Sequence, residues 1–268
     1  MIEEILSSGF MVRALVGGLL IGGLCALLSV VINLKKLSFM GMGISHAAFG
    51  GLALGAFLNI DLTLTALVFT VGVALLISWL SRRGKLHEDV SIGVVFSVSM
   101  AFGVAILGLM KGYNIDVFSF LFGSILAVTE WDLVIAAAAF AIIAGLMLVL
   151  HKEILVYCFD EEWARVCGIN VDRLQDLLIV MIAVAVVVSI KLLGIVLVSA
   201  LLVIPGAIGY LLCENYRGMS VVSVGSALVS VIAGLMLSYR FDIASGATIV
   251  LAAAFMFSLA TIFAPGKS

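Results

Sequence analysis

The sequence predicts an all-α, polytopic integral membrane protein, and three observations carry that prediction. Of 268 residues, 64% are apolar and only 11% are charged, where a soluble domain averages about 45–50% and about 25%. Mean hydropathy is +1.34. The apolar residues fall into long runs, near the roughly 20 residues that carry a helix across a ~30 Å hydrocarbon core. No soluble core hides this much hydrocarbon, so lipid is the solvent for most of the chain. Residues 1–268 read as a single transmembrane domain without a sizeable soluble lobe.

The chain opens Met1-Ile-Glu-Glu4, acidic where a secretory signal is basic, and has no small-residue cleavage site, so the first apolar run is read as a retained span. Spans are expected at 10–34, 37–59, 62–80, 91–111, 131–150, 174–190, 192–213, 219–239 and 243–263. Gly18-x-x-x-Gly22 in the first and Gly51-x-x-x-Gly55 in the second are small-residue faces that allow close helix contact. Between the fourth and fifth, Asp116-Val-Phe-Ser-Phe-Leu-Phe-Gly-Ser-Ile-Leu126 is apolar but too short to cross, and reads as a re-entrant or interfacial helix. The sixth and seventh are separated only by Lys191-Leu-Leu-Gly194, so eight spans are also compatible with the pattern. Val31-Ile-Asn-Leu-Lys-Lys-Leu37 is similar to Val187-Val-Ser-Ile-Lys-Leu-Leu193, which an inverted repeat would produce.

Lys and Arg placement orients the chain. With the N-terminus outside and nine spans, ten basic residues lie inside (Lys35, Lys36, Arg82, Arg83, Lys85, Lys152, Arg165, Arg173, Arg217, Lys267) and four outside (Arg13, Lys111, Lys191, Arg240). The C-terminus is then inside a cytoplasmic membrane. A net charge of −2 gives no basis for nucleic-acid binding. The scattered Cys25, Cys158, Cys167 and Cys213 are not expected to form disulfides.

Ionisable groups inside spans are costly and therefore informative. His46 lies mid-span in a glycine-rich stretch, with Met42 one turn earlier on the same face. Imidazole and thioether suit a borderline-to-soft metal ion. The same pair also reads as a histidine hydrogen-bonded to a neighbouring helix with Met as packing. No Asp or Glu sits clearly at mid-membrane, against an ion-coupled secondary carrier. No H-E-x-x-H, G-x-S-x-G or paired carboxylate occurs, so the chain is not expected to be an enzyme. Gly266-Lys-Ser268 imitates a phosphate-loop tail, but Thr261 stands where the leading glycine is needed. Any ATP is bound by another subunit, and no cofactor is expected on this chain.

Segment 152–176 is expected in the cytosol. Asp160 is a good N-cap, Glu161 and Glu162 suit a first turn, and Gly168 suits a C′ stop. Trp163, Val166 and Cys167 give the short helix an apolar side, for the membrane surface or for a protein partner.

Five stretches together resemble the permease subunits of the metal-importing ABC transporters, the zinc/manganese/iron type called ABC-3. They are Leu37-Ser-Phe-Met-Gly-Met-Gly-Ile-Ser-His-Ala47, Phe118-x-Phe-Leu-Phe-Gly123-Ser-Ile-Leu, Phe159-Asp-Glu-Glu-Trp-Ala164-x-x-x-Gly168-Ile, Leu193-Gly-Ile-Val-Leu-Val-x-Ala-Leu-Leu-Val-Ile-Pro205-Gly-Ala, and Asp242-Ile-Ala-Ser-Gly-Ala-Thr-Ile-Val-Leu251. The resemblance implies a permease homodimer, two cytosolic ATP-binding subunits and an extracytoplasmic metal-binding protein. It implies that Asp160, Glu161, Glu162, Trp163, Ala164, Arg165 and Gly168 form an ATPase-coupling helix. In that family an Asp four residues before the His is thought to contact the metal in transit with it; here the His is His46 and the Asp is replaced by Met42. A neutral thioether for a carboxylate leaves less charge to offset a dication. A softer ion, a different contact and minimal coordination all remain open. The rival class is a secondary transporter or channel for metal ions without an ATPase.

Overall fold

The computed structural model describes residues 9–83, 88–110, 123 and 128–264. The expected re-entrant helix at 116–126 lies outside the described residues apart from Gly123. Eleven helices are described: α1 Gly9–Leu34, α2 Ser38–Leu58, α3 Leu62–Arg83, α4 Glu88–Leu109, α5 Glu130–Val149, α6 His151–Phe159, α7 Glu161–Val166, α8 Val171–Leu201, α9 Ile204–Leu212, α10 Tyr216–Phe241 and α11 Ser245–Phe263. No strand occurs among the described residues.

Eight helical stretches are long and apolar enough to cross a membrane, and Val171–Leu212 counts as one of them, 42 residues long. At 1.5 Å per residue such a helix would measure about 63 Å, twice the hydrocarbon thickness. It does not run straight. Gly194 has φ 78 and ψ 164, outside helical geometry. Val187 and Ile190, before the break, border a cavity with Leu52 and Asp61, towards the C-terminal end of α2. After it, Ser199 meets Ser45, and a Cβ on Gly41 would meet Leu202 Cβ at 3.2 Å, so this part descends towards the start of α2. The chain therefore rises to Gly194 and returns. We call residues 195–212 the return arm. The boundary expected after residue 190 thus falls at Gly194, without a loop, because one residue with positive φ makes the reversal. Gly123, itself at φ 68, seats against this tip, where a Cβ would strike Leu193 and Gly194 backbone.

The bundle has two ends. One carries Asp61, Asp132 and Lys191; the other carries Lys35, Tyr157, Glu161 and Tyr216. The two similar stretches around Lys35 and Lys191 close helices at opposite ends. Packing follows the same symmetry: α1 lies on α9 and α10 much as α8 lies on α2 and α3. An inverted repeat would produce this pairing.

Small residues set the spacing. A Cβ on Gly51 would lie 2.8 Å from Ala66 Cα of α3, and one on Gly50 would lie 2.7 Å from Ser99 O of α4. Backbones in contact at this distance gain dispersion that lipid cannot replace. The four cysteines are free, Cys25 fully buried and Cys167 exposed.

Candidate functional site: an open groove on α2 and a capped helix at the Lys35 end

His46 is partly buried and Met42 is 39% exposed, on one stripe of α2 with Phe39. The His46 Nδ1 lies 2.9 Å from Met42 O. Only a protonated nitrogen donates to a carbonyl, so this contact puts the proton on Nδ1 and leaves the Nε2 lone pair free for a cation. Phe96 of α4 holds the ring edge-on, with centroids 5.3 Å apart at 85°. The return arm flanks the stripe on its other side through the Ser45–Ser199 contact at 3.1 Å. His46 and Met42 thus line the floor of a groove between α4 and the return arm.

Among the described residues, no three His, Cys, Asp or Glu side chains converge to hold a metal. The groove carries an imidazole and a thioether, with the Ser199 hydroxyl at its edge. A separate cavity of about 510 Å³ opens on the opposite face of α2, lined by Ala48, Leu52, Asp61 and Lys191.

At the Lys35 end, Asp160 accepts from Trp163 N at 2.9 Å and caps α7. Gly168 takes φ 83 and ends it, with Ile169 N bonding Ala164 O at 3.0 Å. Ala164 is fully buried and anchors the helix, whereas Trp163 is 60% and Val166 77% exposed. Glu162 points to solvent. Two ion pairs fasten α7 to the bundle. Lys35 at the end of α1 reaches Glu161 at 3.3 Å and lies 3.9 Å over the Tyr157 ring. Arg165 reaches Glu161 at 3.3 Å and Asp172 of α8 at 3.0 Å. These carboxylates, Asp172 first, raise the Arg165 pKa above its ordinary value. Arg82 of α3 continues the chain of contacts, 2.9 Å from Asp176 and 3.0 Å from Asp172 O.

Sequence reasoning missed a second charged contact. Asp132, 5% exposed, accepts from Lys191 at 2.6 Å and closes a capping box with Thr129. The Thr129-x-x-Asp132 spacing ahead of an apolar run was the available signal. Nothing local in the sequence indicates that Lys191, 59 residues away, turns back to meet it.

The chain as a whole has counterparts among known proteins. Residues 7–264 match the family model described as "ABC 3 transport family". The chain is 35% identical over 262 residues to the manganese transport system membrane protein MntB of Synechocystis, covering 98% of this chain and 85% of that protein. It is 33% identical to a probable iron transport system membrane protein of Haemophilus influenzae, covering 97% and 96%. Among solved structures, PsaBC from Streptococcus pneumoniae in complex with Fab superposes with a TM-score of 0.88 at 31% identity, covering 99% of this chain and 96% of that one. A membrane domain of this length, with a capped helix projecting from one end and a match over nearly all of it, belongs to the ABC 3 transport family of multi-pass membrane proteins.

Proposed function

We propose that the chain is the permease subunit of an ATP-driven importer for a divalent transition-metal ion, Mn²⁺, Fe²⁺ or Zn²⁺. It works as a homodimer with two separate ATP-binding subunits and an extracytoplasmic metal-binding protein. The observation that carries this reading is the open groove holding His46. A partly exposed imidazole is costly against lipid, and a second copy of the chain across the groove removes that cost. The relatives' names, manganese in one case and iron in the other, supply the ion class.

The Lys35 end faces the cytosol, since Lys35, Lys36, Arg82, Lys152, Arg165 and Arg173 gather there. Counting the return at Gly194 as a reversal, the N-terminus is outside and the C-terminus inside. The exposed Trp163 and Val166 of α7 then seat in an ATP-binding subunit. Closure of that partner moves α7, and the ion pairs of Lys35 and Arg165 pass the motion to α1 and α8. The ion meets His46 Nε2 in transit and binds no resident site. His46→Ala is expected to lower metal uptake about tenfold or more, the scale of losing one good ligand, with co-purification of the ATPase unchanged. Wild-type uptake by His46→Ala sinks the assignment. Transport by the purified chain alone, without nucleotide, would favour a secondary carrier or channel instead.

A further inference from the structure

His46 and Met42 form only one wall of the groove. We propose that Ser199, on the return arm, is the oxygen donor of the other wall and a determinant of which ion passes; this rests on the importer reading above. Val196, Ser199, Ala200 and Val203 lie three to four residues apart on the partly open face of the return arm, and Ser199 is the one hydroxyl among them. Its Oγ is 2.6 Å from Ile195 O and donates there, so its proton is committed to the helix. Its oxygen remains an acceptor, Ser45 is beside it, and the residue is partly open. Ser45 is fully buried and lies 3.1 Å from the Ser199 Oγ and 3.0 Å from Met42 O. Met42 O also receives His46. The single Ser45 proton is the one available to both Met42 O and Ser199 Oγ, so Ser45 links the His46 turn of α2 to the return arm.

The chemistry follows from what the α2 wall lacks. Imidazole and thioether are borderline and soft donors, and α2 itself, Ser38–Leu58, carries no carboxylate to add to them. A hydroxyl oxygen is hard and neutral. It supports a hard dication such as Mn²⁺ more than a softer one, without holding either tightly. Because it comes from a different helix, the donor pair exists only while α2 and the return arm stay together. The return arm begins at Gly194 and continues α8, whose first turns bond Arg165 and Arg82. Motion entering at α7 thus changes the spacing of the two walls and releases the ion.

The test uses the assembled importer in cells, with Mn²⁺ and Zn²⁺ supplied singly and initial uptake rates compared. Ser199→Thr keeps the oxygen and is expected to keep the wild-type Mn²⁺-to-Zn²⁺ ratio. Ser199→Ala is expected to lower that ratio about three- to tenfold. Ser199→Cys, of similar size but with a soft sulfur, is expected to lower it further. A role in packing alone would change both rates together, so an unchanged ratio in both Ser199→Ala and Ser199→Cys overturns the proposal. His46→Ala runs alongside. If it loses uptake while the Ser199 variants keep the ratio, only the Ser199 proposal fails. If His46→Ala transports normally, the reading of the groove fails and Ser199 falls with it.

Discussion

His46 shows how little a single side chain does without its backbone. Its Nδ1 is occupied by the carbonyl one turn earlier, and this is what frees Nε2. Cys158 shows the complementary case at the Lys35 end. Burial pushes its thiol from an ordinary 9.0 up to about 11, against the opposing pull of Lys35. Cys167, eight residues on from Phe159, is exposed. A maleimide at neutral pH is therefore expected to label Cys167 and leave Cys158 largely unmodified, because the thiolate is the nucleophile. Between pH 9 and 11 the unfolded thiol ionises while the folded one does not, so stability falls as pH rises through that window. Equal labelling of both cysteines at neutral pH, read by mass spectrometry, would contradict the burial.

At the scale of elements, α7 is a six-residue helix that could not persist alone. The Asp160 cap, the left-handed Gly168 and the buried Ala164 hold it in place, leaving Trp163 and Val166 unpartnered. Since the exposed face makes no core contact, Trp163→Ala is expected to change the chain's own stability by less than about 0.5 kcal/mol. The same change is expected to weaken co-purification with the ATP-binding subunit severely, as loss of a buried aromatic anchor does. Charge reversal at Glu162 or Arg165 acts in the same direction. Undiminished co-purification of Trp163→Ala would remove α7 as the docking element. This helix was readable in advance, cap and stop included, because both signals are local. The exact break in Val171–Leu212 was not, because Gly194 looks like any other glycine in an apolar run until its φ is known.

At the scale of the molecule, Lys191 and Asp132 tie the tip of α8 to the first turn of α5. Breaking a pair with one buried member leaves a charge without its partner, which costs more than the intact pair contributes. Lys191→Met is expected to destabilise the chain by about 1–3 kcal/mol, discounted because Lys191 itself is half-exposed. Adding Asp132→Asn to that variant is expected to restore part of the loss. Thermal unfolding in detergent measures both. If the single variant unfolds like the parent, the tie contributes nothing to stability.

Composition and hydropathy alone determined that the chain spans a membrane many times as helices, since backbone groups in hydrocarbon must bond within their own segment. Local signals also put His46 and Met42 on one face of a helix and located the capped helix at 160–168. Only the tertiary structure decided that residues 195–212 turn back along α2. It also decided that Ser199 comes to stand beside Ser45 one residue from His46, and that Lys191 finds Asp132. These depend on which helix lies against which, and a uniformly apolar surface carries no pattern from which to read that choice. In lipid the packing is selected by shape, glycine against backbone, and shape exists only once the helices have met.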